Sequence, residues 1–168
     1  MGLHRRASFA SMKLVEGAKI RIADVLNEGR SERVEIVNEG RAGQPMTGWA
    51  LASLRGTRIF RFEDGFVLDP GASVRITSGE GVIHRPPDVL GWTDENVWNN
   101  RGDSAFLFDC DGEEVARFAY PRARAERVGR LPRQVLVVDE RGGETIEPVR
   151  RTPPRNRSKV TRTGKART

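Results

Sequence analysis

The sequence predicts an all-β fold, a sandwich or barrel built from short antiparallel strands. Segments rich in valine, isoleucine and phenylalanine are short, and glycine, proline, asparagine or aspartate bounds them at intervals of about 8 to 15 residues. Apolar residues spaced as on a helix are nearly absent. With 168 residues, the chain has room for one core of ordinary domain size plus an appendage.

Two strands, each with one face in water, are predicted near the start of the chain. The first covers Lys19–Leu26, where Ile20 and Ile22 share the inner face and Asp24 is expected to share it too. The second covers Arg33–Asn38, in which apolar residues alternate with charged ones. One face of each strand is therefore expected to line a core.

The middle of the chain is expected to supply the large aromatic core residues. A third strand is predicted over Trp49–Leu54, with Trp49 in the core, and Phe60 and Phe62 share a face of the strand that follows. The sequence Asp69-Pro70-Gly71-Ala72 is a type II turn candidate, because proline presets φ at its second position and glycine tolerates the positive φ of its third. This turn is expected to deliver Val74 into the next strand.

A hairpin is predicted to close the domain. Phe106 and Phe108 lie on one face of a late strand and Leu107 on the other. The Asp111-Gly112 pair is a strong hairpin signal and is expected to pair Ala105–Cys110 with Glu114–Phe118.

Several short motifs follow one another in a characteristic order: a Gly-Trp strand start, a Pro-Gly turn, a Trp-Asn-Asn stretch ending in Gly-Asp, and an Asp-Gly hairpin. In this chain they are Gly48-Trp49, Asp69-Pro70-Gly71, Trp98-Asn99-Asn100 with Gly102-Asp103, and Asp111-Gly112. From about Lys19 to Tyr120, this order resembles the lamin tail domain.

The resemblance implies an immunoglobulin-like sandwich without an active site. In nuclear lamins such a domain follows a coiled-coil rod and serves protein and chromatin contacts, whereas similar bacterial and archaeal domains occur alone or attached to secreted nucleases and other surface enzymes. This chain shows neither a heptad rod nor a prenylation signal. A free-standing prokaryotic domain is therefore the expectation.

Charge divides the chain at Tyr120. Residues 19–120 hold 12 lysines and arginines against 17 acidic residues, a net of −5, whereas residues 121–168 hold 14 against 5, a net of +9. We expect a flexible N-terminus over 1–17, a β-sandwich over 18–120, a linker with a hairpin of its own over 121–148, and a disordered basic tail over 149–168. An isolated hairpin is marginal, so residues 134–147 should pack on the sandwich, pair with its edge, or dock on a partner.

The tail is the predicted polyanion-binding segment. Its cations are Arg150, Arg151, Arg155, Arg157, Lys159, Arg162, Lys165 and Arg167. Such a segment binds DNA or RNA by releasing counterions, and an anionic membrane surface would attract it less specifically. The alternative is a solubilising extension without a ligand.

No catalytic constellation is visible in the sequence. The histidines His4 and His84 lie in a predicted tail and a predicted loop, so no nucleophile has a base beside it. The alternation of Asp109, Asp111 and Glu113 is similar to a calcium loop, but Tyr120 stands where that loop needs its acidic anchor. We therefore expect no enzyme activity, no metal and no cofactor, and read these acids as part of a hairpin turn.

The surface of the predicted domain has one candidate contact region, the long polar stretch from Ser78 to Asn100. Trp92 and Trp98 within it are either core residues or a partner surface. Arg101-Gly102-Asp103 spells a tripeptide that cell-adhesion receptors read, although a structural turn is favoured there. The predicted function is thus a binding or scaffold module for an unknown protein partner, with nucleic-acid binding through the tail as the alternative.

The compartment is predicted from what the chain lacks. The single cysteine, Cys110, fits a reducing environment, and neither a secretory signal nor an apolar run of about 20 residues is visible. We expect a cytoplasmic protein without a transmembrane segment.

Overall fold

The computed structural model describes residues 13–27, 29–55, 58–121 and 131–149. Within these ranges the chain forms strands and no helix. The strands are β1 Ile20–Leu26, β2 Glu32–Asn38, β3 Gln44–Pro45, β4 Ala50–Ser53, β5 Ile59–Arg61, β6 Val67–Leu68, β7 Ser73–Ser78, β8 Val89–Thr93, β9 Asp103–Phe108, β10 Glu114–Tyr120, β11 Gln134–Val138 and β12 Glu144–Pro148. The predicted all-β class is confirmed.

Two four-stranded sheets face each other across one core. The first has the strand order β1-β2-β7-β8 and the second the order β10-β9-β4-β5. Every pairing is antiparallel except that of β7 with β8, which is parallel. The core between the sheets includes Trp49, Leu51, Val34, Ile36 and Ile76, all essentially free of solvent contact. This arrangement is an immunoglobulin-like β-sandwich, and the predicted core position of Trp49 is confirmed.

The alternation in β1 is interrupted by a β-bulge. Ile22 pairs with Ile36, but the next pairs are Asp24 with Glu35 and Val25 with Val34, so one residue of β1 is unmatched. A bulge reverses the inside–outside order of everything beyond it. The expectation that Asp24 lies on the inner face is therefore wrong, and Val25 is buried in its place.

Both predicted glycine turns form. Gly71 has φ +74°, and the amide of Ala72 donates to the carbonyl of Asp69 at 3.0 Å, which closes the turn before β7. At the closing hairpin, Gly112 has φ +80° and its amide donates to the carbonyl of Asp109 at 3.0 Å. The hairpin joins β9 to β10 as predicted.

The second sheet has both faces covered, which explains why every residue of β9 is buried. Leu107 points into the sandwich core, whereas Phe106 and Phe108 lie on the outer face of the sheet in a second apolar cluster. Leu136 of β11 is part of that outer cluster. The hairpin of β11 and β12 thus packs on the sandwich, and it also pairs with the closing hairpin through one antiparallel bridge between Val135 and Glu113.

Polar contacts fasten this C-terminal hairpin at several points. The buried carboxylate of Glu114 accepts a hydrogen bond from the amide of Gln134 at 2.6 Å and pairs with Arg117. The guanidinium of Arg117 also lies over the ring of Phe106, 5.4 Å from its centre. On β5, Arg61 forms an ion pair with Glu144 of β12.

The segment 13–17, predicted to be flexible with the residues before it, lies against the body of the domain. The side chain of Gln44 accepts from the amide of Val15 at 2.8 Å and donates to the carbonyl of Lys13 at 3.0 Å. Residues 1–12 lie outside the described residues, and so does the predicted tail over 149–168 except Val149, whose amide donates to the carbonyl of Arg133 at 2.8 Å.

Candidate interaction surfaces

Glu32, at the start of β2, anchors the long connection between β8 and β9. It points into the sandwich with Val34 and Ile36 and is only 2% exposed. Its carboxylate accepts from the hydroxyl of Ser78 and the amide of Val97, both at 2.7 Å, and from the amide of Trp98 at 3.2 Å. A buried carboxylate is costly unless donors surround it. Ser78 belongs to the first sheet itself, and the amides of Val97 and Trp98 fix the β8–β9 loop (residues 94–102) to that sheet.

The two tryptophans of the predicted contact region are packed against each other. Trp98 is 3% exposed and belongs to the core, and its ring centre lies 6.1 Å from that of Trp92. Trp92 is half-buried and also contacts Phe60, with ring centres 5.9 Å apart. The predicted partner surface of Trp92 and Trp98 stays a prediction, and the structure leaves only part of Trp92 accessible for it.

The Arg-Gly-Asp tripeptide forms a structural turn, as the sequence favoured. The carboxylate of Asp103 is fully buried and accepts from the hydroxyl of Ser53 at 2.7 Å and from the amide of Asn99 at 3.2 Å. Oδ1 of Asn99 in turn accepts a hydrogen bond from the amide of Arg101 at 2.8 Å. The acidic group that an adhesion receptor would read is therefore not displayed.

The β7–β8 loop (residues 79–88) folds back over the outside of the first sheet. The hydroxyl of Thr77 donates to the carbonyl of Ile83 at 2.8 Å and accepts from its amide at 3.0 Å. Further along, Arg85 and Val89 exchange both backbone hydrogen bonds, at 2.7 and 3.0 Å. The loop is thus held at one place by the Thr77 hydroxyl and at the other by a pair of backbone hydrogen bonds.

His84 helps to cover the outer edge of β8. Its Nδ1 accepts from the amide of Gly91 at 3.1 Å, so the imidazole caps a backbone donor that strand pairing leaves open. A side chain at Gly91 would come within 3.2 Å of the carbonyl of Ile83, which explains a glycine at this close approach. This contact gives His84 a structural role.

The β7–β8 loop also carries apolar side chains that face solvent. Val82 is 36% exposed and Ile83 is 46% exposed. Beside them lies a groove of about 250 Å³ on the outer face of the first sheet. Its walls include Leu26, Arg33, Arg75, Thr77, Ile83 and Val89.

The acids Asp109, Asp111 and Glu113 form the predicted hairpin turn. Oδ1 of Asp109 accepts from the amides of Asp111 and Glu113, at 2.9 and 3.0 Å, as an Asx turn does. Asp111 pairs with Lys13 at 2.8 Å, and this hydrogen-bonded ion pair lowers the pKa of Asp111 and raises the pKa of Lys13. In the described part of the chain, no three His, Cys, Asp or Glu side chains are grouped to hold a metal.

The remaining candidates add little chemistry. Cys110 is a half-buried free thiol at the closing hairpin. Within the described ranges no helix long and apolar enough to cross a membrane occurs. The eight tail cations from Arg150 to Arg167 lie outside the described residues.

The fold and the loop geometry define a structural module of the immunoglobulin-like class. The sequence profile of the Lamin Tail Domain matches residues 16–122, well over half of the chain, and the chain belongs to that family. Lamin-B2 of Homo sapiens is 33% identical over 89 residues, which cover 49% of this chain and 14% of that protein. The lamin tail domain is a structural, non-enzymatic module.

Among solved structures, the archaellum periplasmic stator protein FlaG from Sulfolobus acidocaldarius superposes with a TM-score of 0.39 and 9% identity, over 61% of this chain and 99% of that one. So low a score supports no functional comparison. The C-terminal hairpin over 134–148 lies beyond the residues that the family profile matches.

The functional residue that the sequence reasoning missed is Glu32. The sequence does contain a signal for Glu32, because this residue lies two positions before Val34 and four before Ile36 and so shares the inward face of β2 with them. A charged residue at an inward position must find donors inside the fold. Extending the alternation one step toward the N-terminus would have marked it.

Proposed function

We propose that this chain is a non-catalytic interaction module and that its β7–β8 loop is the surface that contacts a protein partner. The observation that carries the proposal is the exposure of Val82 and Ile83 on a loop whose backbone is tied to the sheet at Thr77 and at Val89. Membership of a structural, non-enzymatic family supports it.

A loop that is held in place loses little conformational entropy when a partner binds. The hydrogen bonds at Ile83 and Arg85 therefore favour binding, because the loop loses its conformational entropy when the domain folds and not when the partner binds. Exposed apolar side chains on a loop that is held in place are typical of protein–protein contact surfaces. Trp92 is proposed as a separate contact, because its ring packs on the core side of β8 against Phe60 and Trp98.

A photo-crosslinking amino acid placed at position 82 tests the proposal in the native cell. We expect a defined set of protein adducts, and we expect Ile83→Asp to remove them while leaving the melting temperature nearly unchanged. Val67 on β6 is the matched control position, because it is a valine with 46% exposure away from the loop. Adducts that are equally abundant from positions 82 and 67, or that persist in Ile83→Asp, would overturn the proposal.

The second candidate function is polyanion binding by the basic tail. Fourteen lysines and arginines against five acids after Tyr120 support it, with weak sequence preference and strong salt dependence as the expected behaviour. The chain should be cut after Val149, whose amide donates to the carbonyl of Arg133 and so belongs to the folded hairpin. We expect that cut to remove most binding to DNA, RNA or anionic vesicles at low salt. If the full chain binds none of them, the tail is an extension only.

We also propose a cytoplasmic location and a function that needs no cofactor. Fractionation of the native cell tests the first. Crosslinking in a cell lysate tests the second: the same adducts should form after the lysate has been dialysed against a chelator.

A further inference from the structure

We infer that the groove on the outer face of the first sheet binds a partner segment that carries a carboxylate next to a bulky apolar side chain. The inference rests on the proposed function and names the chemistry of the partner at that surface. Three observations support it: the size of the groove, its apolar walls, and two arginines at its rim.

The groove has room for one or two side chains. Its volume of about 250 Å³ lies below the range of roughly 300 to 1,000 Å³ that is usual for small-molecule sites. Leu26 of β1 forms one wall, and Ile83 with Val89 forms the other. An apolar side chain seated between them would be removed from water on both sides, which is the main source of affinity in such a site.

The rim of the groove carries two arginines. Glu32 also lines it, but the carboxylate of Glu32 is buried among its own donors on the other face of the sheet. Arg33 of β2 lies opposite Thr77 of β7, and Arg75 is the next outward residue along β7, so the two arginines are diagonal neighbours on one sheet face. Both are exposed. Arg75 forms an ion pair with Glu35 at 3.7 Å, longer than a direct hydrogen bond, and among the described residues no carboxylate lies within ion-pair distance of Arg33. Guanidinium groups in this position suit a carboxylate, which they bind through paired hydrogen bonds.

The chain's own termini have the wrong charge to fill the groove. Residues 1–12 contain Arg5 and Arg6 and no acid, and residues 150–168 contain only basic charges. Both would be repelled by Arg33 and Arg75. Charge complementarity therefore points to an acidic segment of another protein.

A peptide array tests the inference with full-length protein. The probes are short peptides of glycine and serine with two variable central positions, which together cover every pair of amino acids. The strongest binders are then titrated by fluorescence anisotropy. We expect enrichment of Asp or Glu beside Leu, Ile, Phe or Met. Peptide binding should perturb the amide resonance of Ile83.

Charge reversal supplies the decisive comparison. The double variant Arg33→Glu, Arg75→Glu should lose about tenfold or more in affinity for the acidic peptides and gain affinity for peptides with Lys or Arg in their place. The single variants Arg33→Glu and Arg75→Glu should each weaken this binding. Arg41→Glu is the matched control for them: it makes the same single change at an exposed arginine beyond the opposite end of β2, and binding should stay within about twofold. Unchanged melting temperatures confirm that each variant folds.

Several outcomes would overturn the inference. Array peptides enriched without any acid, or affinities that charge reversal leaves unaltered, would show that the arginines do not select a carboxylate. Binding to anionic vesicles that depends on Arg33 and Arg75, without peptide selection, would assign the groove to a lipid surface. A dimer in sedimentation that charge reversal abolishes would assign it to a second copy of this chain.

The crosslinking assay separates this inference from the proposed function. If Arg33→Glu, Arg75→Glu keeps the adducts of position 82 and Ile83→Asp loses them, the loop contacts a partner but the acidic recognition is refuted. If both variants keep the adducts, the proposed function itself fails.

Discussion

Replacing Glu32 by alanine should destabilise the fold more than any other single change at a charged residue of the first sheet. The substitution leaves three donors without their acceptor: the hydroxyl of Ser78 and the amides of Val97 and Trp98. Each buried donor left unpaired costs roughly 1 to 3 kcal/mol. Relief from burying the carboxylate and relaxation of the loop offset part of this cost, so we expect a loss of about 3 to 5 kcal/mol in the free energy of unfolding.

Urea denaturation followed by tryptophan fluorescence and by circular dichroism measures that loss. Glu35→Ala is the matched control, because Glu35 lies on the same strand with its side chain turned to the outer face, where its ion pair with Arg75 spans 3.7 Å. We expect the control to cost less than about 1 kcal/mol. Glu32→Gln, which keeps the shape and one acceptor oxygen, should fall between the two.

A loss for Glu32→Ala no greater than that of Glu35→Ala would refute the reasoning. It would mean that the packing of Trp98 and the other hydrogen bonds of the β8–β9 loop, such as that from Asn99 to Asp103, hold the loop without Glu32. In that case the amide resonances of Val97 and Trp98 should also stay unshifted in Glu32→Ala. Large shifts confined to those amides are the expected result.

Three further predictions follow from burial and charge. Trp49→Ala should cost about 3 to 5 kcal/mol in urea denaturation, the range for emptying a fully buried aromatic site, and a loss below 1 kcal/mol would contradict its core position. Leu136→Ala should lower the free energy of unfolding by about 2 to 3 kcal/mol, whereas Val138→Ala, at an exposed position of the same strand, should lower it by less than about 0.5 kcal/mol. Equal losses would mean that the hairpin does not pack on the sandwich. Lys13 lowers the pKa of Asp111, so this ion pair is intact at neutral pH. The stability that the pair contributes should be lost as the pH falls through the lowered pKa of Asp111. The NMR chemical shifts of Lys13 should follow this titration and should not change with pH in Asp111→Asn.

The alternating pattern and the turn residues were sufficient to predict most of the sandwich. Alternation located β2, and the glycines of the two turns located the start of β7 and the closing hairpin. These features are local, so the sequence shows them directly. The bulge in β1 is different, because the unmatched residue is set by pairing with Val34 and Glu35 across the sheet.

Docking of the C-terminal hairpin was beyond sequence reasoning for a related cause. Nothing local to Leu136 specifies that its partners are Phe106 and Phe108, about 30 residues earlier in the chain. The consequence is practical: a fragment that ends at Tyr120 would expose both phenylalanines. Such a fragment, cut at the domain boundary that the sequence predicts, should be less stable than a chain that ends after Val149.

The two polar ends of β2 explain how the sandwich supports its loops. Glu32 and Asn38 both occupy inward positions, with Val34 and Ile36 between them. At the far end, Asn38 donates to the carbonyls of Ala42 and Leu68, at 2.8 and 2.9 Å.

Apolar residues in the middle of β2 thus supply core packing, and polar residues at its ends pin the connections on either side. The proposed contact loop lies at the Glu32 end, since Ser78 both closes β7 before that loop and donates to Glu32. Weakening Glu32 should therefore reduce partner adducts at position 82 without touching Val82 or Ile83. Retained adducts in a folded Glu32→Gln protein would show that the loop needs only its own bonds to Thr77 and Val89.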